Sequence, residues 1–133
     1  MPASIRGFLL LCVLLSGASN AGPVRATGFS FGGVTNRFIT PNGDGRNDNI
    51  AFRFSNPSDS AGSIKIYDLR GHLVTTISIN SGGAVSCPTG TIGNPGCPSW
   101  DGRVNGAAVA SGVYIYVIQV ENVTVSGALV VIR

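Results

Sequence analysis

Residues Val113–Glu121 read VYIYVIQVE, and this is the longest predicted strand of the chain. Apolar or aromatic side chains alternate on both of its faces: Val113, Ile115 and Val117 on one face, and Tyr114, Tyr116 and Ile118 on the other. A strand that is apolar on both faces belongs in the middle of a sheet. The stretch therefore predicts the central strand of a β-sheet.

Shorter strands separated by turn-forming residues surround this central strand. Ser63–Leu69 and Leu73–Asn80 are predicted to form a hairpin that reverses at Arg70-Gly71-His72. Ile50–Phe54 alternates apolar and polar residues, and Val123–Arg133 closes the chain. Six or seven such strands in all favour an antiparallel β-sandwich with Trp100 in its core.

The composition excludes several other classes of protein. Only 11% of the 133 residues are charged, and Lys and Glu each occur once. A helical bundle uses many more of these residues on its surface, so that class is excluded. The net charge of +3 is spread along the chain without an Arg or Lys cluster, and we therefore expect no nucleic-acid partner.

The first 21 residues have the pattern of a secretory signal peptide. Arg6 supplies a positive charge, Gly7–Leu15 is an apolar run, and Ser19-Asn20-Ala21 places small residues at a cleavage site. The apolar run is too short to span a bilayer, so no transmembrane anchor is expected after cleavage. We expect the mature chain to begin at Gly22 and to be secreted or held at the cell surface.

Export changes the interpretation of the cysteines. Cys87 and Cys97 are the two that remain after cleavage, and in an oxidising compartment such a pair predicts a disulfide. A metal site needs about four ligands, and the mature chain has a single histidine, His72. The predicted disulfide cross-links a loop at residues 81–98.

Residues Pro41–Asp48 read PNGDGRND and allow two interpretations. Oxygen-bearing side chains in a Gly-rich loop suit a structural Ca²⁺ ion; they are Asn42, Asp44, Asn47 and Asp48. Alternatively, the same side chains accept hydrogen bonds from nearby backbone N–H groups and form a tight turn. We favour the turn and predict no other cofactor.

Aromatic residues also allow two interpretations. The motif Trp100-Asp101-Gly102 either stacks on a sugar or supplies a core tryptophan followed by a turn, and we favour the latter. Tyr67, Tyr114 and Tyr116 either form an aromatic binding strip or cover the outer faces of their strands, and again we favour the latter. The sequence shows no positioned acid–base pair or activated nucleophile, so we expect no enzyme.

A leader at residues 22–37 precedes these motifs. Thr27, Phe29 and Phe31 fall on one face at period two, which predicts a short strand. That strand either pairs within its own domain or is donated to a neighbouring copy. We favour the first and keep the second as a hypothesis of self-association through Ala26–Val34.

Four segments in this order resemble a known family: Phe38–Asp48, Ile64–Val74, Trp100–Ile118 and Gly127–Arg133. They resemble the gliding-motility-associated C-terminal domain family, whose members end surface proteins exported by type IX secretion. The hairpin and the Trp100–Ile118 segment are also similar to the immunoglobulin-like domain of flagellar hook-capping proteins. The resemblance implies an immunoglobulin-like sandwich of about seven strands at residues 38–133.

Three functions are compatible with these observations. The first is an exported, non-enzymatic module that acts through protein contacts or self-association, as a structural or adhesion protein. The second, which the resemblance implies, is a sorting domain whose strands around Gly127–Arg133 are recognised by export machinery. The third is a small carbohydrate-binding module that uses Trp100 and the tyrosines.

Overall fold

The computed structural model describes residues 28–79 and 97–133, and every regular element in these two ranges is a β-strand. In chain order they are β1 Ser30–Val34, β2 Phe38–Ile39, β3 Ile50–Ser55, β4 Gly62–Asp68, β5 Leu73–Ile79, β6 Ser99–Trp100, β7 Arg103–Val104, β8 Ala107–Ala108, β9 Gly112–Val120 and β10 Val123–Val131. The predicted signal peptide and most of the predicted loop at 81–98 lie outside these ranges. Within them, no helix has the length and apolar character needed to cross a membrane.

The strands form two main sheets around one core. The larger has five strands in the order β2-β10-β9-β4-β5, and the smaller has three in the order β1-β3-β6. Strands β7 and β8 form a separate short hairpin. Two sheets that share a core are consistent with the predicted sandwich, and the prediction that Val113–Glu121 forms a central strand is confirmed because β9 lies third of five.

One strand pair departs from the predicted antiparallel arrangement. β2 runs parallel to β10, with Phe38 opposite Val130 and Ile39 opposite Val131. The chain leaves the small sheet after β1, crosses to the large sheet and arrives beside β10 in the same direction. The expectation of a wholly antiparallel fold is therefore wrong at this pair.

The structure describes ten strands, whereas about seven were expected. The difference comes from two-residue strands such as β2.

The core lies between the two sheets and is lined by fully buried side chains. Phe52 of β3 faces Ile64 and Ile66 of β4, Ile118 of β9 and Leu129 of β10, all 0% exposed. At about 25 cal/mol per Å² of apolar surface removed from water, each such side chain contributes roughly 1.5–3 kcal/mol to the transfer term. Burial of this set is therefore the main force that holds the sheets together.

Two tyrosines expected on the outer faces point into this core instead. Tyr114 and Tyr116 are each 7% exposed, and their rings lie edge-on to Trp100 and Phe52 at centroid distances of 5.8 and 5.3 Å. The Tyr114 hydroxyl donates a hydrogen bond to the Ala110 carbonyl at 2.7 Å, which satisfies its polar end. The outer-face expectation is wrong for both residues, because their face of β9 is the face of Ile118.

The hairpin predicted at the centre of the sequence is confirmed. β4 and β5 pair antiparallel, with one register shift next to Tyr67. Asp68 holds the turn, since its Oδ1 accepts hydrogen bonds from the backbone N–H groups of Arg70 and His72, both at 2.9 Å. The bond from the His72 backbone is the largest of the effects that lower the pKa of the Asp68 carboxyl below its ordinary value.

Candidate functional site

The loop Pro41–Asp48 uses its carboxylates to hold its own backbone. The two oxygens of Asp48 accept hydrogen bonds from the N–H groups of Gly43 at 2.8 Å and Gly45 at 2.6 Å. Asp44 Oδ1 accepts one from the Arg46 N–H at 2.8 Å. Gly43 and Gly45 have φ angles of 76° and 80°, a region that glycine enters without strain.

The remaining predicted ligands serve the same turn. Asn42 Oδ1 accepts a hydrogen bond from the Asp44 N–H at 3.1 Å, and Asn47 has a left-handed φ of 52°. In the described ranges, no group of three or more His, Cys, Asp or Glu side chains is placed to hold a metal ion. These contacts agree with the turn interpretation, and calcium binding by the same loop stays the alternative hypothesis.

The motif Trp100-Asp101-Gly102 forms a buried anchor and a turn. The Trp100 ring is 5% exposed, and its Nε1 donates to the Arg103 carbonyl at 3.0 Å. Asp101 Oδ1 accepts from the Arg103 N–H at 3.0 Å. Gly102 has φ 71° and lies so close to Ile39 that a Cβ would be 3.0 Å from its Cδ1. These aromatic and turn residues therefore present no stacking face to a sugar.

The leader strand pairs within its own chain. β1 lies antiparallel to β3, and the Phe29 ring is buried against Phe54 at 5.4 Å. Phe31 lies edge-on to Tyr116 at 5.9 Å. Thr27 lies outside the described residues. Self-association through residues 26–34 would have to displace these contacts, and it stays a prediction that sedimentation of the chain with and without Phe29→Asp can test.

The C-terminal strand has an unequal pair of edges. β9 pairs with β10 along its whole length, from Val123 to Val131. On the other edge, β2 covers only Val130 and Val131. The Val130 N–H donates outward, to the Arg37 carbonyl, at 2.8 Å. Among the strands that the structure describes, none pairs with β10 on this side before Val130.

A cleft of about 600 Å³ lies beside this open edge. Strand β10 lines it with Ser126, Gly127 and Ala128, and the chain from Phe31 to Arg37 contributes much of the opposite wall. Gly127 is required here, because a Cβ would overlap the Tyr116 hydroxyl and ring. The absence of a side chain lets the Tyr116 ring lie against β10 at the base of the cleft.

Two arginines bring positive charge to the cleft. Arg53 donates from Nη2 to the Val34 carbonyl at 3.3 Å, while its buried Nε has no hydrogen-bond partner among the described residues. Arg37 is exposed. Burial raises the pKa of the Tyr116 hydroxyl, and the charge of Arg37 acts in the opposite direction. The cleft therefore joins two positive charges with the Arg53 Nε–H, which has no partner in the part of the chain that the structure describes.

Sequence reasoning did not find the cleft residues. Arg53 occupies a polar position of the alternating segment Ile50–Phe54, where a solvated arginine is ordinary. Its neighbour Gly33 has a φ of 102°, which L side chains rarely adopt, and a Cβ there would lie in ordinary contact with Arg53 Nη2 at 3.4 Å. The sequence signal for this contact is the pair of glycines at 32 and 33. Such a pair indicates an unusual backbone conformation or a close approach, but it does not identify Arg53 as the neighbouring residue.

Cys97 is the first residue of the second described range, 97–133. It is 9% exposed, belongs to the core and is disulfide-bonded. Cys87 lies outside the described residues. The pairing of these two cysteines therefore stays a prediction.

Comparison with known proteins gives one match. A family model described as the CHU_C type IX secretion signal domain matches residues 33–131, which takes in every strand from β2 to β10. No curated protein and no solved structure matches the chain. The match confirms the resemblance that the sequence motifs indicated. The family description is that of a secretion signal domain.

Proposed function

We propose a sorting role from one premise: this chain belongs to the family of CHU_C type IX secretion signal domains. The match to residues 33–131 is the observation that carries the proposal. In the proposed role, outer-membrane export machinery recognises the folded domain and releases the protein from the cell or attaches it to the surface. The strands β9 and β10 at the C-terminal end are the proposed recognition element.

The surface at the end of β10 supports this assignment. Val130 and Ile132 are 36% and 49% exposed, and Phe38 of the adjoining β2 is 47% exposed. The Arg133 N–H donates to Ser111 Oγ at 2.9 Å, which holds the last residue against the start of β9. An exposed apolar patch of this kind suits contact with another protein.

The other functions expected from the sequence have less support. The family description names a secretion signal and no catalytic activity, which agrees with a non-enzymatic role. A structural or adhesion role shares the export step but has no observation of its own. The carbohydrate-binding role loses its proposed stacking surface, because Trp100, Tyr114 and Tyr116 are buried.

A reporter fusion tests the sorting role. Residues 22–133 are fused behind a periplasmic reporter in a bacterium that has a type IX system, and protease-accessible reporter on intact cells is measured. We expect surface exposure that disappears in a strain lacking the outer-membrane export machinery. Val130→Glu with Ile132→Glu should reduce export, while Thr76→Glu, at an exposed position on β5 at the opposite edge of the same sheet, should not. A reporter that stays in the periplasm would overturn the proposal.

We further propose that Cys87 and Cys97 form a disulfide in the exported protein. Cys97 is the bonded cysteine in the structure, and Cys87 is the nearest other cysteine in the sequence. Thiol titration of exported protein under denaturing conditions should find no free thiol before reduction and two after it. Two titratable thiols without reduction would contradict the pairing.

A further inference from the structure

The open edge of β10 presents an ordered row of backbone groups. Along a strand, the backbone N–H and C=O groups of successive residues point alternately to its two edges. The N–H of Val130 points away from β9. Thr124, Ser126 and Ala128 lie at the same phase, so their N–H and C=O groups also face the open edge. These three residues offer six backbone groups, and β10 has no partner strand there among the described residues.

A row of this kind accepts another strand. Extended peptides add to exposed sheet edges through main-chain hydrogen bonds, and the side chains that flank the edge give specificity. The segment from Thr124 to Ala128 is five residues long, which corresponds to roughly 16 Å of strand. The edge therefore suits a short extended peptide.

The flanking side chains select the charge of that peptide. Arg53 and Arg37 both line the cleft beside Ser126 and Ala128. None of the residues that line this cleft is acidic. The buried Nε–H of Arg53 lacks a partner among the described residues, and a buried donor without a partner is destabilising. A carboxylate in the cleft neutralises the charge of the Arg53 guanidinium and accepts charge-assisted hydrogen bonds from it.

We propose that this cleft binds an extended acidic peptide segment of another protein, which adds as a strand to β10 at Thr124–Ala128 and places a carboxylate against Arg53. The peptide continues the line of β2 along the same edge of the sheet. Strand addition supplies most of the affinity, and the arginines supply the preference for an acidic side chain. The proposal does not depend on the sorting role, because it concerns binding by the purified protein.

Three matched peptides test the charge preference. Each is a blocked heptapeptide of alternating Thr and Val, with Glu, Gln or Lys at its centre. Binding to the purified exported protein is measured by fluorescence anisotropy. We expect the Glu peptide to bind roughly tenfold more tightly than the Gln peptide, as a charge-assisted hydrogen bond predicts. The Lys peptide should bind most weakly, and added salt should reduce the difference between the three.

Two variants separate the side-chain and backbone contributions. Arg53→Gln should remove the preference for Glu over Gln, while Arg70→Gln, in the exposed β4–β5 turn, should leave it unchanged. Ser126→Pro removes one outward N–H without touching the ladder to β9, and it should weaken all three peptides at least tenfold. Circular dichroism checks that each variant is folded.

A measurement on the unaltered protein keeps the test independent of the variants. Amide hydrogen exchange is followed by NMR with and without the Glu peptide. The Ser126 and Ala128 amides should exchange fast in the free protein and become protected when the peptide binds. Protection already present in the free protein, or no binding by any peptide, would overturn the proposal. Equal binding of the three peptides, or binding that Arg53→Gln leaves selective, would overturn it as well.

Discussion

The loop Pro41–Asp48 and the contact between Tyr116 and Gly127 use glycine for opposite purposes. In the loop, Gly43 and Gly45 supply left-handed backbone in open space, since a Cβ at either would meet nothing within 4 Å. At the contact, Gly127 lies directly opposite Tyr116 across the β9–β10 pair and leaves room for its ring. The loop is held by hydrogen bonds between neighbours in sequence. The Tyr116–Gly127 contact lies within the β9–β10 pair, and its Tyr116 ring also packs against the opposite sheet.

The difference shows where the stability of the molecule is concentrated. The hydrogen bonds that the carboxylates of Asp44 and Asp48 accept from backbone N–H groups stay within the loop and are exposed to solvent. The Tyr116 ring, in contrast, packs against Phe52 and Phe31 of the opposite sheet. Removal of a packing residue should therefore destabilise the whole fold, while removal of a loop residue should cost much less.

The largest expected effect is at Phe52, the fully buried ring that faces Tyr116. Phe52→Ala should lower the free energy of unfolding by about 3–5 kcal/mol, because it removes the ring and leaves a cavity. Urea denaturation measures the change. Phe38→Ala is the matched control, since Phe38 is 47% exposed, and it should cost no more than about 1 kcal/mol. Equal losses would show that the sheet interface is not the centre of stability.

The next effect is at Gly127. Gly127→Ala should cost about 1–3 kcal/mol, as overpacking does, because its methyl group overlaps the Tyr116 ring. Gly112→Ala at the start of β9 is the control, since a Cβ there meets nothing within 4 Å, and it should not destabilise the protein. Thermal unfolding of both variants measures the difference. A tolerated Gly127→Ala would mean that the Tyr116 ring moves freely.

A smaller effect is expected in the loop. Asp48→Ala removes the acceptor for the N–H groups of Gly43 and Gly45, and it should cost about 1 kcal/mol because both groups can bond to water instead. Arg46→Ala is the control from the same loop and should be neutral. A loss as large as that of Phe52→Ala would erase the contrast between the two regions.

The smallest expected effect is that of Ca²⁺. The oxygens of Asp44 and Asp48 already accept backbone N–H bonds, so added Ca²⁺ should leave the melting temperature unchanged within scatter. The double variant Asp44→Asn with Asp48→Asn provides the reference. A melting temperature that rises with Ca²⁺ in the unaltered protein alone would show, by mass action, that the loop binds the ion.

The sequence predicted the parts of the fold that local patterns control. The β4–β5 hairpin and the central position of β9 follow from alternation and turn residues within a few positions of each other. The orientation of Tyr114 and Tyr116 did not follow, because both faces of β9 are apolar and alternation does not say which one meets the other sheet.

The cleft was beyond sequence reasoning for a related reason. Arg37, Arg53 and Ser126 come together because the segment 33–37, strand β3 and strand β10 line one cleft. No local pattern links residues so distant along the chain. What the sequence did carry was the family resemblance, which rests on several motifs in a fixed order rather than on any single site.

The parallel pairing of β2 with β10 has a consequence for the order of folding. It joins Phe38 to Val130 across a sequence separation of 92 residues, and the Phe29 N–H donates to a Glu121 carboxylate oxygen at the same separation. Loops this long are costly to close, so such contacts form late. A chain synthesised from its N-terminus therefore cannot complete its five-stranded sheet until β10 has emerged. Until then, β2 and the edge of β9 that β10 covers have no partner strand from this sheet on that side, so the domain closes in a single late step.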